Sequence, residues 1–194
     1  MSNEELLKMY EAIKADPGEL VRAAARKRLI NFARYMQPDL VLEPFHVVYY
    51  TLLDMFAHGK IRRMIVQQPP QHGKSEGSSR KLPAFMLGLD PDRKICIGSY
   101  AATIARDFNR DVQRIIDTPR YRELFPGTYL NGSNVVTMAN TYLRNSDVIE
   151  MVGRKGSLRV VGRGGSLTSK TVDVSILDDV YKDYAEGNSP IVRA

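Results

Sequence analysis

Two stretches of the sequence carry residue types at spacings that do chemistry. The first is Gln67-Gln68-Pro69-Pro70-Gln71-His72-Gly73-Lys74-Ser75, which stands between an apolar run and a segment of helical character. A glycine, a lysine and a hydroxyl at a strand-to-helix turn are the working parts of a phosphate-binding loop of the Walker A kind. Backbone N–H groups of such a turn point at an anion, and the helix dipole adds to the attraction. Gly73 lets the backbone approach closely, Lys74 reaches the β- and γ-phosphates of a nucleoside triphosphate, and the Ser75 hydroxyl coordinates Mg2+. The match is incomplete, because the glycine usual five positions before Gly73 is here Gln68. A surface turn with a lysine present by chance is the competing reading of these residues alone.

The second stretch, Val172-Asp173-Val174-Ser175-Ile176-Leu177-Asp178-Asp179, ends an apolar strand on two consecutive carboxylates. Ligands of open α/β folds gather at the carboxyl edge of a parallel sheet. Asp178 is then the metal-site residue, and Asp179 the base that polarises the water attacking the γ-phosphate. By itself an Asp-Asp after a strand is as well explained as a turn or a helix cap. Standing about 100 residues after Gly73-Lys74-Ser75 and in the right order, it reads as the other half of a nucleotide site, a Walker B motif. A glutamate is commoner at the second acidic position, and Asp179 is shorter by one methylene, about 1.5 Å of reach.

These motifs need a strand and a helix on either side, and the hydrophobic pattern supplies them. Residues 3–15 read as an amphipathic helix with Leu6, Leu7, Tyr10 and Ile13 on one face, stopped by Asp16-Pro17-Gly18. A second helix is expected over 19–35, with a basic set (Arg22, Arg26, Lys27, Arg28, Arg34) that is either a solvated face or a contact for a neighbour or for phosphates. Helices follow over 44–58, from about 73, over 102–116 and over 121–125. Strands are expected over 63–67, 94–98, 141–144, 148–152, 158–161 and 171–177. Strands alternating with helices indicate an α/β fold with a mostly parallel central sheet. The division predicted is a helical arm over 1–40 and a P-loop core over 41–194.

Composition excludes some classes and leaves others open. Of 194 residues 43% are hydrophobic and 26% charged, a globular balance. No apolar run is long enough to cross a membrane, and the polar start Ser2-Asn3-Glu4-Glu5 is not a signal peptide. The single cysteine, Cys96, forms no internal disulfide and reads as a small buried side chain, so a cytoplasmic protein is expected. The net charge of +6 is compatible with a polyanionic partner and equally with none.

Beyond the two motifs, an ordered series of segments resembles the ATPase half of tailed-phage large terminases, the motors of DNA packaging. The series runs through Phe45-His46, Gly59-Lys60-Ile61-Arg62-Arg63-Met64-Ile65 and Pro69-Pro70-Gln71-His72-Gly73-Lys74-Ser75. It continues with Pro83-Ala84-Phe85, Leu87-Gly88, Ser99-Tyr100, and Asp107-Phe108-Asn109-Arg110-Asp111-Val112-Gln113. Tyr121, Leu124-Phe125-Pro126, Gly162-Arg163-Gly164-Gly165-Ser166-Leu167-Thr168 and Ile176-Leu177-Asp178-Asp179 with Lys182-Asp183 complete it. The resemblance implies a P-loop NTPase of the additional-strand type, with ATP and Mg2+ as cofactors. It also implies translocation of double-stranded DNA into a procapsid by a ring of subunits, five in number. The implied partners are the portal protein and a small terminase subunit, in the cytoplasm of an infected bacterium and transiently at the portal. It places Phe45 and His46 at the adenine, where the alternative is that Phe45 is core and His46 helix surface. Gln68, Pro69, Pro70, Gln71 and His72 line the nucleotide with Gly73, Lys74 and Ser75.

Three departures bear on these expectations. The family commonly has arginine where Gln71 stands, so one cation is missing near the γ-phosphate; Arg163 and Arg159 are the candidates to replace it, in the role of an arginine finger. A neutral or small residue is usual at Arg163, and glycine at Ser169. The chain also ends soon after the acidic pair, which implies an ATPase sheet incomplete at its C-terminus, no nuclease domain and no nuclease activity. Against the packaging motor stand two readings: a helicase-like P-loop NTPase, for which no further motif is present, and a nucleotide-binding or assembly module without turnover.

Overall fold

The apolar run Ile95-Cys96-Ile97 is at most 2% exposed and forms the middle of a sheet covered on both faces. The computed structural model describes residues 2–136, 141–165, 171–182 and 188. Within them the run lies in strand β1 (Lys94–Ser99), which pairs in parallel with β3 (Ser157–Gly162) on one side and β4 (Val174–Leu177) on the other. Strand β2 (Val148–Glu150) joins the outer edge of β3 antiparallel, giving the order β2-β3-β1-β4. The chain is therefore α/β with a mixed sheet flanked by helices, and the expected parallel pairing holds for the three strands β3, β1 and β4. Ser166, Leu167, Thr168, Ser169 and Asp183 lie outside the described residues.

Helix α1 (Asn3–Ala15) forms where its periodicity places it, yet Leu6, Leu7 and Tyr10 remain 46%, 59% and 64% exposed; the side chain of Ile13 is outside the description. The helix expected over 19–35 is two helices, α2 (Glu19–Lys27) and α3 (Leu29–Met36), separated by Arg28 in extended backbone. The cause is Asp54 on α4 (Pro44–Ala57). Its Oδ1 accepts the Leu29 N–H at 2.8 Å, and its Oδ2 lies 3.0 Å from Arg28 Nε. A carboxylate from another helix thus caps α3 and breaks the run at Arg28.

Helices α3, α5 (Leu82–Leu89) and α7 (Pro119–Leu124) meet in an aromatic cluster. Phe32 lies 5.4 Å from Phe85 and 6.1 Å from both Tyr121 and Phe125, ring centre to ring centre, in tilted or edge-on contacts. The buried Tyr121 hydroxyl donates to Ala84 O at 2.8 Å, so burying this phenol leaves no polar group unpaired. Helix α6 (Ala102–Asp117) lies along β1 and β3 and anchors the stretch between α7 and β2 through its polar face. There Arg144 pairs with Asp117 and donates to Gln113 Oε1 at 3.2 Å, while Asn109 donates to Ser146 O at 2.8 Å.

Two expected strands are absent. Residues 63–67 belong to no sheet, with Ile65 91% exposed and only Met64 and Val66 packed against the core. The nearest sheet edge, β4, is separated from this segment by a groove of about 410 Å³, so the segment has no partner to pair with. Residues 141–144 contribute a single bridge residue, Arg144, between Val135 and Ile149. No helix of the described residues is long and apolar enough to cross a membrane.

Candidate nucleotide site

The turn over 68–73 is built on two left-handed backbone positions, Gln71 at φ 63° and Gly73 at φ 75°. At Gly73 a side chain would be strained by that φ and would stand 3.4 Å from His46 Nε2, so glycine serves both the turn and its close neighbour. The helix that follows starts at Lys74 and is π-wound over Glu76–Lys81 before it continues as α5. The Leu82 N–H donates to Gly77 O, five residues back. Pro83 accounts for the winding in part: it has no N–H for the carbonyl four residues earlier, and its ring crowds that carbonyl.

The wide turn has consequences for side chains. The Lys74 carbonyl accepts hydrogen bonds from two hydroxyls, Tyr49 at 2.5 Å and Ser78 at 2.9 Å. Glu76 and Lys81, five apart and therefore neighbours only in a π turn, pair at 3.0 Å and satisfy a lysine that is 6% exposed. Gly77 admits the Tyr49 ring: an added Cβ would lie 2.6 Å from Tyr49 Cε1.

The acidic pair comes to this turn from 105 residues away. Asp178 ends β4 at 3% exposure, its N–H donating to Gly98 O at 2.9 Å. Its Oδ2 accepts the Ser79 hydroxyl at 2.6 Å. Its buried Oδ1 lies 3.2 Å from Lys74 Nζ, out of line for a hydrogen bond, and has no other partner among the described residues. Asp179 sits at φ 45° with its carbonyl held by Tyr100 N–H at 3.0 Å and its side chain 65% exposed. Lys74 Nζ donates to its Oδ1 at 2.5 Å. Burial alone would lower the Lys74 pKa, but the hydrogen bond to Asp179 and the charge of Asp178 outweigh it and raise it.

A cavity of about 430 Å³ opens over this arrangement, lined by the continuous stretch 68–76 together with Arg80 and Asp179. A larger cavity of about 700 Å³ lies elsewhere, among α2, α3 and α7, and is mainly apolar. The smaller one holds the chemistry, because it alone joins the glycine turn, the lysine and a carboxylate. Phe45 and His46 border the turn: their rings stack at 3.9 Å, Phe45 lies 5.6 Å from the His72 ring, and Phe45 is 41% exposed. A half-exposed aromatic beside such a turn can receive a flat heterocycle. His46 Nδ1 accepts the Glu43 N–H at 3.0 Å, which fixes that ring as part of the cap of α4.

The two arginines proposed from sequence are placed differently. Arg163 follows β3 with its N–H donating to Ser99 O at 2.9 Å, at the same edge of the sheet as Asp178. Arg159 is in the middle of β3, in register with Cys96, and its guanidinium lies 3.8 Å from Glu150, so it is not brought to the turn. Arg80, which the sequence reading passed over, does line the cavity. It pairs with Asp111 at 2.7 Å and lies 5.0 Å above the Phe108 ring. Sequence could have found it, as the basic residue one turn after Glu76 on the helix that leaves the loop.

Hard oxygen donors suit Mg2+, which takes one or two protein ligands, phosphates and water. Asp178 Oδ1, buried and without a hydrogen-bond donor, fits such an ion; Asp178 lines the groove of about 410 Å³, Ser75 lines the cavity of about 430 Å³, and Lys74 lines both. No group of three or more His, Cys, Asp or Glu side chains that could hold a metal ion exists among the described residues. Compared with known proteins, the chain matches no family model, no curated protein and no solved structure.

Proposed function

We propose that this chain is a P-loop ATPase of the additional-strand type, acting as the motor subunit of a viral terminase that drives double-stranded DNA into a procapsid. The observation that carries the nucleotide site is the convergence of Lys74 with Asp178 and Asp179, at 3.2 and 2.5 Å, beneath a glycine turn open to a cavity. Gly73 and its neighbours would take the phosphates on backbone N–H groups, and Lys74 would carry their charge. Asp178 and Ser75 would hold Mg2+, which supplies charge neutralisation at the phosphates. Asp179 would orient the attacking water and accept its proton, while Phe45 and His46 would receive the base. The packaging role rests on the ordered resemblance of the segments from Phe45 to Asp183, with DNA, the portal, a small subunit and a ring of copies as the partners that follow from it.

A second reading, a nucleotide-binding assembly module without turnover, has one observation in its favour. The Asp179 carboxylate is engaged by Lys74, and Asp179 is too short to reach far from there. Calorimetric titration of Mg-ATP into the wild type and Lys74→Ala, followed by hydrolysis measured with and without DNA, tests both readings; the chain has no tryptophan to report binding. Binding lost in the variant supports the site, and DNA-stimulated hydrolysis supports the motor. Equal binding by both proteins would refute the assignment of Lys74.

A further inference from the structure

The hydroxyl that meets the buried carboxylate is not the one the loop motif designates. Ser75 follows Lys74 directly, yet Ser79, one turn further on and itself 0% exposed, donates to Asp178 Oδ2 at 2.6 Å. Ser75 makes no hydrogen bond from its side chain to any described residue. The Ser79 proton is committed to that carboxylate; the neighbouring Ser78 hydroxyl, 3.3 Å away, donates its own to Lys74 O at 2.9 Å. The π winding over Glu76–Lys81 stacks residues four and five apart, which is how a side chain this far along the helix faces the end of β4. Wide helical turns of this kind recur at functional sites, and here the turn has a product: a directed hydroxyl on a buried charge.

We propose that Ser79 is the positioning residue of the site, holding Asp178 by Oδ2 so that Oδ1 is presented toward Lys74 and the metal while Ser75 stays available as a ligand. This rests on the nucleotide-site reading above. The argument is one of degrees of freedom. A carboxylate at 3% exposure with one oxygen tethered can turn only about that tether, and Oδ1 already lies 3.2 Å from Lys74 Nζ. Oδ1, which accepts no hydrogen bond itself, is thereby kept in a fixed place beside the ammonium. Without the Ser79 hydroxyl both oxygens lose their direction, and Oδ2 becomes a buried acceptor with no donor. Ser79 touches neither phosphate nor metal and acts through Asp178 alone.

The test compares wild type, Ser79→Ala, Ser79→Thr and Lys74→Ala by calorimetric binding of ATP across a Mg2+ series, with hydrolysis measured alongside. A hydrogen bond to a buried charge is worth a factor of about ten or more, so Ser79→Ala should raise the Mg2+ concentration needed for half of the metal-dependent gain in ATP affinity about tenfold. Its affinity for ATP without metal should fall by less than that factor, since Lys74 and the turn are intact. Ser79→Thr, which keeps the hydroxyl, should restore the Mg2+ dependence. A purely structural role would lower the thermal midpoint and leave the Mg2+ dependence unmoved, and that result overturns the proposal. If Ser79→Ala does not fold, Ser79→Cys, nearly the same size with a weak donor, takes its place with the same expected direction, and wild-type Mg2+ dependence there overturns it equally. Loss of binding in Lys74→Ala together with unchanged Mg2+ dependence in the Ser79 variants would leave the nucleotide site standing and remove Ser79 from it. Absence of Mg-ATP binding by the wild type would refute both.

Discussion

Replacing Gly77 by alanine sets two effects of opposite sign against each other, and the structure decides which wins. In an ordinary exposed helix the change stabilises by about 1 kcal/mol through backbone entropy. Here the new Cβ would stand 2.6 Å from Tyr49 Cε1 and 3.1 Å from both Tyr49 Cζ and Leu53 Cδ1. Carbon atoms pack best at about 3.5–4.0 Å, so the ring must retreat by about 1 Å. It has little room, because Tyr50 packs on it at 5.7 Å and Tyr49 itself is 3% exposed. Retreat also stretches the bond from the Tyr49 hydroxyl to Lys74 O from 2.5 Å to the limit of hydrogen bonding.

Overpacking costs about 1–3 kcal/mol and the weakened hydrogen bond about 1 kcal/mol, against a gain of about 1 kcal/mol. The net expected is a loss of about 2 kcal/mol, or roughly 4–8 °C in thermal midpoint for a domain of this size. Thermal unfolding followed by circular dichroism measures it, with Tyr49→Phe and the double variant completing a cycle. Because Gly77→Ala already disturbs the hydroxyl bond, Tyr49→Phe should cost about 1 kcal/mol alone and much less in the alanine background. A midpoint raised by Gly77→Ala, or strict additivity in the cycle, would refute the contact between Tyr49 and the π turn.

Two further predictions concern the frame. Asp54→Ala removes the cap of α3 and the partner of Arg28, and should cost about 2–3 kcal/mol in urea unfolding, most of it from the buried bond to Leu29 N–H since Arg28 is 54% exposed. An effect below about 0.5 kcal/mol would show that the break at Arg28 has another cause. Stability should also fall at alkaline pH. Burial pushes the Tyr49 phenol up to about 12, and burial raises Tyr50 and Tyr121 likewise. Above pH 10 the unfolded chain has given up phenolic protons that the folded chain keeps, so it binds fewer, and the slope is negative. Each such tyrosine contributes about 1.4 kcal/mol per pH unit, fully present below 10 and lost as pH climbs toward the folded value. A thermal midpoint that stays level from pH 9.5 to 11.5 would contradict the burial of these phenols.

How much of this was legible in the sequence follows the range of the interactions involved. Lys74, Asp178 and Asp179 were readable because their types and order are local signals, and β1 and α6 because their apolar periods are unbroken. The break at Arg28 was not, since its cause is Asp54, 25 residues from Leu29. The alternation in 63–67 does put Met64 and Val66 against the core, but a strand needs a partner as well as a pattern, and none is in reach. The roles of Ser79 and Arg80 depend on a helix that changes its winding for six residues, Glu76–Lys81. Pro83 was the available cue, since a proline inside a helical run demands some adjustment one turn upstream.

The charges at the turn are unequal in a way that bears on the proposed reading. Lys74 is shared by two carboxylates, one 3% exposed and one with a side chain 65% exposed. Ion pairs open to water are worth about 0–1 kcal/mol, whereas a buried carboxylate deprived of its cation costs several. A phosphate arriving from the cavity therefore displaces Asp179 far more easily than it separates Lys74 from Asp178. On that reading the base is held by the lysine until the ligand that needs it releases it. The left-handed backbone at Asp179 and the tether of its carbonyl to Tyr100 N–H keep its Cα in place through the exchange, so the side chain alone has to turn. Asp178, held by Ser79, stays where it is, and the two neighbouring carboxylates divide the work by burial: one fixed to bind, one free to move.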